Sequence, residues 1–182
     1  LSDLNLGIVG LGRIGLQVAN IAKSLQMKIT AYDPFIDDEV FISNNIDRSK
    51  NLENMLARID VLSIHASLNN QNYHLIGRNQ ISKLKAGCFV INTARGELTD
   101  EKELVKALRV GNLGGIGVDV LSQEQQLEQL VLSPLIRGAK EGLNIIITPH
   151  IGGCTLESMN YTEILIAECA VKKLSLETNN HP

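Results

Sequence analysis

The sequence contains few of the residues that mark nucleic-acid-binding, membrane or disulfide-stabilised proteins. Its 182 residues include no Trp, and aromatic residues make up 3% of the total, so few rings are present on which single-stranded bases could stack. The formal net charge is −3, which excludes a strongly basic surface for nucleic acid. Apolar stretches run for only a few residues, far less than a membrane span requires. These absences predict a soluble, cytoplasmic, globular protein.

The number and spacing of the cysteines do not indicate disulfide bonds. Cys88, Cys154 and Cys169 are odd in number and widely spaced, without a CxxC pair. This spacing predicts reduced thiols rather than a disulfide framework or a zinc site, and no metal site is predicted. The chain begins with Leu1 rather than Met, and its first strand pattern follows almost at once. We therefore expect a piece of a longer polypeptide without a signal peptide.

Strand-like and helix-like segments alternate along most of the chain. Short apolar runs of strand length are separated by segments with helical periodicity. The predicted strands are residues 6–9, 28–32, 61–65, 88–92, 116–120 and 144–148. Because these runs are nearly continuously apolar, both faces of the sheet should be covered. The order predicts an α/β fold with a doubly wound parallel sheet of the Rossmann type, with loops and short helices over 34–50 and 121–142.

Three of the predicted helices have a defined apolar side. The first follows residue 12, and its apolar stripe comprises Ile14, Val18, Ile21, Ala22 and Leu25. Asp100 and Glu103 resemble a capping box and predict the start of another helix. The buried side of that helix is predicted to comprise Leu104, Ala107 and Leu108. The last helix runs from Thr155 to about Leu176, with a stripe that includes Ile164, Leu165, Val171 and Leu174.

A glycine motif lies between the first strand and the first helix. Gly10-x-Gly12-x-x-Gly15 has the spacing of a loop that binds the pyrophosphate of a dinucleotide. In such a loop the first glycine permits a tight turn, the second lets the pyrophosphate approach the backbone, and the third lets helix and strand pack closely. The N-terminus of the helix offers free N–H groups and a positive dipole end to the phosphates. The motif is weak alone, but here it has the strand–loop–helix context that it needs.

An acidic residue ends the second predicted strand. Asp33 follows Gly15 by 18 positions, which is near the position of a carboxylate that binds ribose hydroxyls. A 2′-phosphate beside Asp33 would meet a like charge, so the residue favours NAD over NADP. The alternative is that Asp33 simply begins a turn before Pro34. Together with the glycine motif, Asp33 predicts a domain that binds NAD.

Three charged residues closely follow predicted strands. Arg95, Glu124 and His150 would converge at the carboxyl edge of a parallel sheet, where ligands of such sheets bind. Each also has a purely structural interpretation, as a turn residue, a solvated loop residue and a buried histidine. Taken together they suit hydride transfer on a 2-hydroxy acid. An imidazole accepts the hydroxyl proton, a carboxylate orients the imidazole, and a guanidinium binds the substrate carboxylate.

Several segments together resemble one enzyme family. They are residues 6–15 (LGIVGLGRIG), 32–34 (YDP), 85–96 (KAGCFVINTARG), 115–120 (GIGVDV) and 146–153 (IITPHIGG). On these segments, which are spread over nearly the whole chain, the sequence resembles the coenzyme-binding domain of the D-isomer-specific 2-hydroxyacid dehydrogenases. The D-3-phosphoglycerate dehydrogenases are the group that it resembles most.

This resemblance implies roles for individual residues. It implies that Arg95 binds the substrate carboxylate, that His150 is the acid/base and that Glu124 is the partner of His150. It also implies a set of cofactor contacts, namely Gly10, Gly12, Arg13, Ile14, Gly15, Asp33, Thr93, Ala94, Arg95, Asp119, His150, Gly152 and Gly153. The implied partners are a small 2-hydroxy or 2-oxo acid and a second copy of the chain in a homodimer.

The chain departs from the family pattern in two places and in its extent. Ser67 stands where the family usually has a proline, and Gln125 follows Glu124 where a proline is also common. The resemblance divides the chain into an NAD-binding domain, residues 1–154, and a C-terminal helix, residues 155–182, that would return to a substrate domain. Because that domain is expected to lie outside this sequence, we expect NAD binding without efficient turnover.

Two other functions stay open at this stage. A non-catalytic, NAD-sensing module that resembles a corepressor would use the same fold to recruit a protein partner. A formate- or phosphite-type dehydrogenase would share the arginine and the histidine but act on a different small anion. The complete set of Arg95, Glu124 and His150 favours the 2-hydroxyacid dehydrogenase.

Overall fold

Seven parallel strands form one sheet in the order β3-β2-β1-β4-β5-β6-β7 within residues 1–178, which the computed structural model describes. For residues 127, 129 and 174–178 the description is limited to the backbone. The strands are β1 (Asn5–Val9), β2 (Lys28–Tyr32), β3 (Asp47–Arg48), β4 (Val61–Ile64), β5 (Cys88–Asn92), β6 (Leu113–Val118) and β7 (Ile145–Ile147). The parallel, doubly wound fold that the sequence predicts is confirmed.

Helices connect the strands. They are α1 (Arg13–Ser24), α2 (Asp38–Ser43), α3 (Leu52–Leu56), α4 (Arg78–Ile81), α5 (Glu101–Arg109), α6 (Leu127–Leu130), α7 (Pro134–Lys140) and α8 (Leu156–Thr178). A short 3-10 helix, Gly96–Leu98, follows β5. None of the helices within residues 1–178 combines the length and the apolar character that crossing a bilayer requires.

The chain divides into two units at the end of the last strand. The first unit comprises Leu1–Pro149 and contains the whole sheet with α1 to α7, and the second unit begins at His150 and contains α8. Along α8 the side chains of Ile164, Leu165 and Val171 are exposed, while the side chain of Leu174 lies outside the described part of the chain.

The centre of the sheet forms from the most apolar segments. β1 pairs with β2 on one side and with β4 on the other, so that Ile8 lies beside both Ala31 and Ser63. Both faces of these central strands are buried, as their continuous apolar runs predict. The expectation fails nearer the β7 edge, where the side chains of Phe89 and Ile146 are exposed. Full coverage of both faces therefore holds for the middle of the sheet.

The predicted apolar stripe of α1 is confirmed only in part, since Ala22 is buried and Val18 packs half-buried against the core. Ile14, Ile21 and Leu25 are 46–66% exposed, whereas the buried residues of the helix are Gly15, Ala19 and Ala22. The reason is the close approach of the helix to the strands at Gly15, where a Cβ atom would lie 2.2 Å from the carbonyl oxygen of Gly10. Small residues therefore lie closest to the sheet, Leu16 and Val18 are partly buried against the core, and the predicted residues Ile14, Ile21 and Leu25 are exposed.

Helix α5 follows its prediction. The Asp100 carboxylate accepts hydrogen bonds from the backbone N–H groups of Lys102 and Glu103, at 3.1 and 3.2 Å, and so caps the helix. Its predicted inner residues, Leu104, Ala107 and Leu108, are buried. Residues 34–50 and 121–142, for which the sequence predicts loops with short helices, contain α2, α6 and α7. Residues 34–50 also contain the strand β3, which no pattern in the sequence indicates.

Candidate functional site

The glycine loop joins β1 to α1 and is shaped by close backbone contacts. Gly10 has a positive φ of 90°, and a Cβ atom there would lie 2.5 Å from the backbone nitrogen of Ala66. At Gly15 a Cβ atom would collide with the carbonyl of Gly10, as described above. Gly12 is different, because a Cβ atom there would meet no atom within 4 Å. Gly10 and Gly15 are therefore required by the fold, whereas Gly12 leaves space on the side where a ligand would approach.

Asp33 lies just beyond β2 and is held by two backbone N–H groups. Its Oδ2 atom accepts a hydrogen bond from Leu11 at 2.9 Å, and its Oδ1 atom accepts one from Phe35 at 2.9 Å. Each carboxylate oxygen has a further lone pair, so the side chain can still accept hydrogen bonds from hydroxyl groups. The carboxylate is thus fixed next to the glycine loop, where ribose hydroxyls would bind.

A cavity of about 370 Å³ extends from the glycine loop between the segments that follow β2 and β4. Its lining includes Gly10, Gly12 and Asp33, His65 at the end of a predicted strand, and residues that the sequence patterns do not identify, among them Phe35 and Gln71. These residues carry no motif of their own. They reach the cavity because β2 and β4 lie on either side of β1.

His65 directly follows β4 and lines the cavity. Its Nε2 atom lies 2.8 Å from the hydroxyl of Ser63. Burial lowers the pKa of the imidazole, so the ring is largely uncharged at neutral pH. The wall next to the glycine loop is therefore polar without adding a charge.

The loop with Ser67 is held together by asparagine side chains. The Asn72 side chain donates to the carbonyl of Ser67 at 2.7 Å and accepts from the backbone N–H of Asn69 at 2.7 Å. The Asn69 side chain in turn accepts from the backbone N–H of Gln71 at 2.8 Å. These bonds constrain the backbone around Ser67.

The predicted substrate-binding arginine lies in a turn that a buried asparagine shapes. The Asn92 side chain accepts from the N–H of Ala94 at 3.0 Å and donates to the carbonyl of Arg95 at 2.9 Å. The turn exposes Thr93 and Arg95 at the carboxyl end of β5, and the Arg95 guanidinium donates to the carbonyl of Ala94 at 2.6 Å. The sequence patterns miss Asn92, because its role depends on its burial at the end of the strand.

The loops of Arg95 and Glu124 contact each other directly. Gly96 is buried, and a Cβ atom there would lie 2.1 Å from the carbonyl carbon of Leu121. On the other loop, Glu124 accepts a hydrogen bond from the N–H of Leu121 at 3.0 Å. The structure therefore brings these two predicted site loops together, and Gly96 is the residue that allows the approach.

A buried carboxylate supports the loop that precedes Glu124. Glu101 accepts hydrogen bonds from the backbone N–H of Ser122 and from the hydroxyl of Ser133, both at 2.8 Å. Because Glu101 is buried, both bonds form away from water and position the loop relative to α5 and α7. The sequence patterns identify Asp100 in this region but not Glu101.

Asp119 lies at the carboxyl end of β6, between β5 and β7. Its backbone N–H donates to the carbonyl of Asn92 at 3.0 Å, and its buried side chain accepts a hydrogen bond from the Thr148 hydroxyl. Asp119 therefore lies at the same carboxyl edge of the sheet as the Arg95 turn. Arg13 and Ile14 begin α1, directly after the glycine loop, and both are exposed.

The remaining predicted site residues belong to the second unit. His150 has a positive φ of 54°, which few residues other than glycine adopt, and its carbonyl accepts a weak hydrogen bond from the Cys154 thiol at 3.6 Å. Gly152 and Gly153 follow in the turn that precedes α8. Arg95 and Glu124 lie in the first unit, so the structure describes them separately from His150.

The chain matches a known protein family. Residues 1–152 match the family model described as "D-isomer specific 2-hydroxyacid dehydrogenase, NAD binding domain". The chain is 36% identical over 169 residues to the D-3-phosphoglycerate dehydrogenase of Methanocaldococcus jannaschii, a match that covers 93% of this chain and 30% of that protein. It is 33% identical over 174 residues to an aromatic 2-oxoacid reductase of Clostridium sporogenes, covering 91% of this chain and 52% of that protein.

Solved structures give the same result. The structure of D-lactate dehydrogenase from Aquifex aeolicus, complexed with NAD and lactic acid, is similar with a TM-score of 0.77 and 32% sequence identity. The similarity covers 96% of this chain and 55% of that chain. The chain thus spans about a third to a half of the length of these relatives.

Proposed function

Because the chain belongs to the D-isomer-specific 2-hydroxyacid dehydrogenase family and forms its NAD-binding domain, we propose that it serves hydride transfer between NAD and a D-2-hydroxy acid. The observation that carries this proposal is the joint geometry of the glycine loop and Asp33. The loop leaves space at Gly12 for a pyrophosphate, and the Asp33 carboxylate is fixed beside it by the N–H of Leu11.

Those residues of the first unit that are proposed to contact NAD lie at the carboxyl ends of the strands or at the start of α1. Gly10, Gly12, Gly15, Arg13 and Ile14 would bind the pyrophosphate side, and Asp33 would bind the ribose of the adenosine. Thr93, Ala94, Arg95, Asp119, His150, Gly152 and Gly153 would bind the nicotinamide side. The Asp33 carboxylate favours NAD over NADP, since a 2′-phosphate at its side would cost up to about 4 kcal/mol in repulsion.

The proposed chemistry assigns one task to each of three residues. NAD, when bound, accepts the hydride from the carbon that carries the hydroxyl. As the hydride leaves, the His150 imidazole removes the hydroxyl proton, and the Glu124 carboxylate stabilises the resulting imidazolium. The Arg95 guanidinium binds the substrate carboxylate through two parallel hydrogen bonds and so fixes the acid in position. The contact between the Arg95 and Glu124 loops at Gly96 supports this division of tasks.

The substrate is proposed from the relatives, some of which act on quite different acids. One relative is named as a D-3-phosphoglycerate dehydrogenase, and another as an aromatic 2-oxoacid reductase. We propose a small D-2-hydroxy acid, with 3-phosphoglycerate as the first to test. Since the chain spans 30% of the phosphoglycerate dehydrogenase, efficient turnover is proposed to need the remaining length of such a protein. A homodimer and a cytoplasmic location are part of the same proposal.

A pair of variants tests the proposal. His150→Gln removes the acid/base and should abolish NADH-dependent reduction of 2-oxo acids, measured in the full-length protein, while leaving NADH binding intact. Asp33→Ala should weaken NADH binding and reduce the preference for NADH over NADPH, measured by calorimetry on the 182-residue chain. If His150→Gln reduces 2-oxo acids as fast as the unmodified protein, the catalytic role is wrong. If neither the unmodified protein nor His150→Gln reduces 2-oxo acids and a protein partner still binds, the NAD-sensing module is favoured.

A further inference from the structure

Two side chains in the cavity beside Asp33 have no task in the proposed reaction. Phe35 is 83% exposed, more than any other large apolar side chain that the structure describes, and it lines the cavity. Gln71 lines the same cavity and is also exposed. An exposed phenyl ring costs free energy in water, and an exposed ring in a cavity wall is typical of a surface on which a ligand stacks.

The order of the strands places these two residues on opposite sides of the glycine loop. β2 and β4 flank β1, so Phe35, which follows β2, and Gln71, which follows β4, approach the loop from either side. The backbone N–H of Phe35 donates to the Asp33 carboxylate, so the ring follows directly on the group proposed to bind the ribose. The base attached to that ribose would therefore lie in this cavity.

The carboxamide of Gln71 differs from its neighbours on the loop. The side chains of Asn69 and Asn72 hold the loop together through hydrogen bonds to the backbone. The Gln71 side chain makes no hydrogen bond to any part of the chain that the structure describes, although its backbone N–H is fixed at 2.8 Å from Asn69 Oδ1. Its carboxamide offers one acceptor and two donors, which match the amino group of adenine and an adjacent ring nitrogen.

We propose that Phe35 and Gln71 form a clamp for adenine, in which the Phe35 ring stacks on the face of the base and the Gln71 carboxamide bonds to its edge. The inference rests on the proposed NAD site and adds the residues that select the base. Stacking alone tolerates any base, because every base has a π face. Specificity for adenine then comes from Gln71.

Calorimetric titration of the 182-residue chain with NADH and with AMP tests the stacking half of the clamp. Phe35→Ala should raise the Kd for both ligands about 10-fold. Ile42→Ala is the matched control, because Ile42 is 77% exposed but does not line the cavity, and its Kd values should stay within about 2-fold of the unmodified chain.

The edge contact is tested with an analogue of NADH in which unsubstituted purine replaces adenine. Gln71→Leu should raise the Kd for NADH about 5-fold and the Kd for the purine analogue clearly less, because the analogue keeps the ring nitrogen but lacks the amino group. Asn70→Leu, next to Gln71 but outside the cavity lining, should change neither value.

The outcomes separate this inference from the proposed function. If Phe35→Ala and Gln71→Leu bind NADH like the unmodified chain while Asp33→Ala binds it more weakly, the site is correct and the clamp is wrong. If Gln71→Leu weakens binding of NADH and the purine analogue equally, the carboxamide does not bond to the amino group, which overturns the edge contact. If the unmodified chain fails to bind NADH, the proposed function falls, and the clamp falls with it.

Discussion

The Oδ2 atom of Asp33 lies 2.9 Å from the backbone nitrogen of Leu11 and accepts its hydrogen bond. Leu11 is part of the glycine loop, and Asp33 follows 22 positions later at the end of the next strand. The carboxylate proposed to bind the ribose therefore also holds the loop proposed to bind the pyrophosphate. The two parts of the site are fixed relative to each other by the protein itself, which lowers the cost of ordering them when a ligand binds.

Asp33→Asn should weaken the fold and the cofactor preference together. The amide nitrogen of Asn cannot accept a hydrogen bond, so either Leu11 or Phe35 loses its acceptor, at a cost of about 1–2 kcal/mol in the free energy of unfolding. Loss of the negative charge should also reduce the preference for NADH over NADPH at least about tenfold. Urea unfolding and calorimetry measure the two effects.

Asp37→Asn is the matched control for this change, because Asp37 precedes α2 without a side-chain bond to the helix. It removes the same charge nearby, and both quantities should stay nearly unchanged. An effect of Asp37→Asn as large as that of Asp33→Asn would mean that net charge, and not the Asp33 hydrogen bonds, is responsible.

Gly15→Ala should lower the stability of the fold, whereas Gly12→Ala should weaken cofactor binding without lowering stability. At Gly15 the new Cβ atom would lie 2.2 Å from the carbonyl oxygen of Gly10, so the helix must shift, and the midpoint of thermal unfolding should fall by several degrees. At Gly12 the Cβ atom meets nothing within 4 Å, so stability should hold while NADH binding weakens at least about tenfold. Unchanged NADH affinity in Gly12→Ala would show that no phosphate approaches this backbone.

Glu101→Gln should destabilise the protein through the loop that precedes Glu124. The substituted amide keeps one acceptor for two donors, the N–H of Ser122 and the hydroxyl of Ser133, in a buried setting. We expect a loss of about 1–3 kcal/mol in the free energy of unfolding, measured with urea. Glu103→Gln on the same helix removes only longer ion pairs, to Arg78 at 3.9 Å and Lys106 at 3.8 Å, and should cost under about 1 kcal/mol. Equal losses in the two variants would contradict the role of Glu101.

Stability in acid should depend on Asp60. A hydrogen bond from Lys85, with others from Asn5, lowers the pKa of this carboxyl from 3.8 to about 2. Because the pKa is lower in the folded chain, the carboxylate stabilises the fold above about pH 4, and that contribution is lost as the pH falls towards 2.

Urea unfolding at pH 6, 4, 3 and 2 measures the effect. The unmodified chain should lose more stability across this range than Asp60→Asn, which has no carboxylate to protonate. Asp3→Asn, at an exposed position of the N-terminal segment, should behave like the unmodified chain. Parallel pH profiles for Asp60→Asn and the unmodified chain would refute the contribution of Asp60.

Sequence patterns predict those parts of the fold well that depend on residues close together in the chain. The bounds of β2 and β5 agree with their apolar runs, and Asp100 caps α5 as its spacing to Glu103 indicates. The inward-facing residues of α1 could be predicted only in part, because they depend on how closely the helix approaches β1. The two-residue strand β3 likewise owes its existence to pairing with β2 rather than to its own sequence.

The site residues likewise divide into those that local sequence motifs predict and those that only the folded structure reveals. The glycine motif and Asp33 are visible in the sequence because their spacing reflects one strand–helix–strand unit. Asn92 and Glu101 are not, because each acts through hydrogen bonds formed only once the chain is folded. The contact at Gly96 joins two loops whose proximity results from the order of β5 and β6 in the sheet.

The pairing of β1 with β4 also has a consequence for how the molecule assembles. Asn5 and Asp60, which meet at the start of these strands, are 55 positions apart in the chain. Closing a loop of this length before its contacts form slows folding, and parallel strands offer no shorter route. During synthesis, β1 therefore gains both of its neighbours only after β4 has emerged. From that moment the strands that position Gly10 and Asp33 are paired, well before the loops of Arg95 and Glu124 have been synthesised.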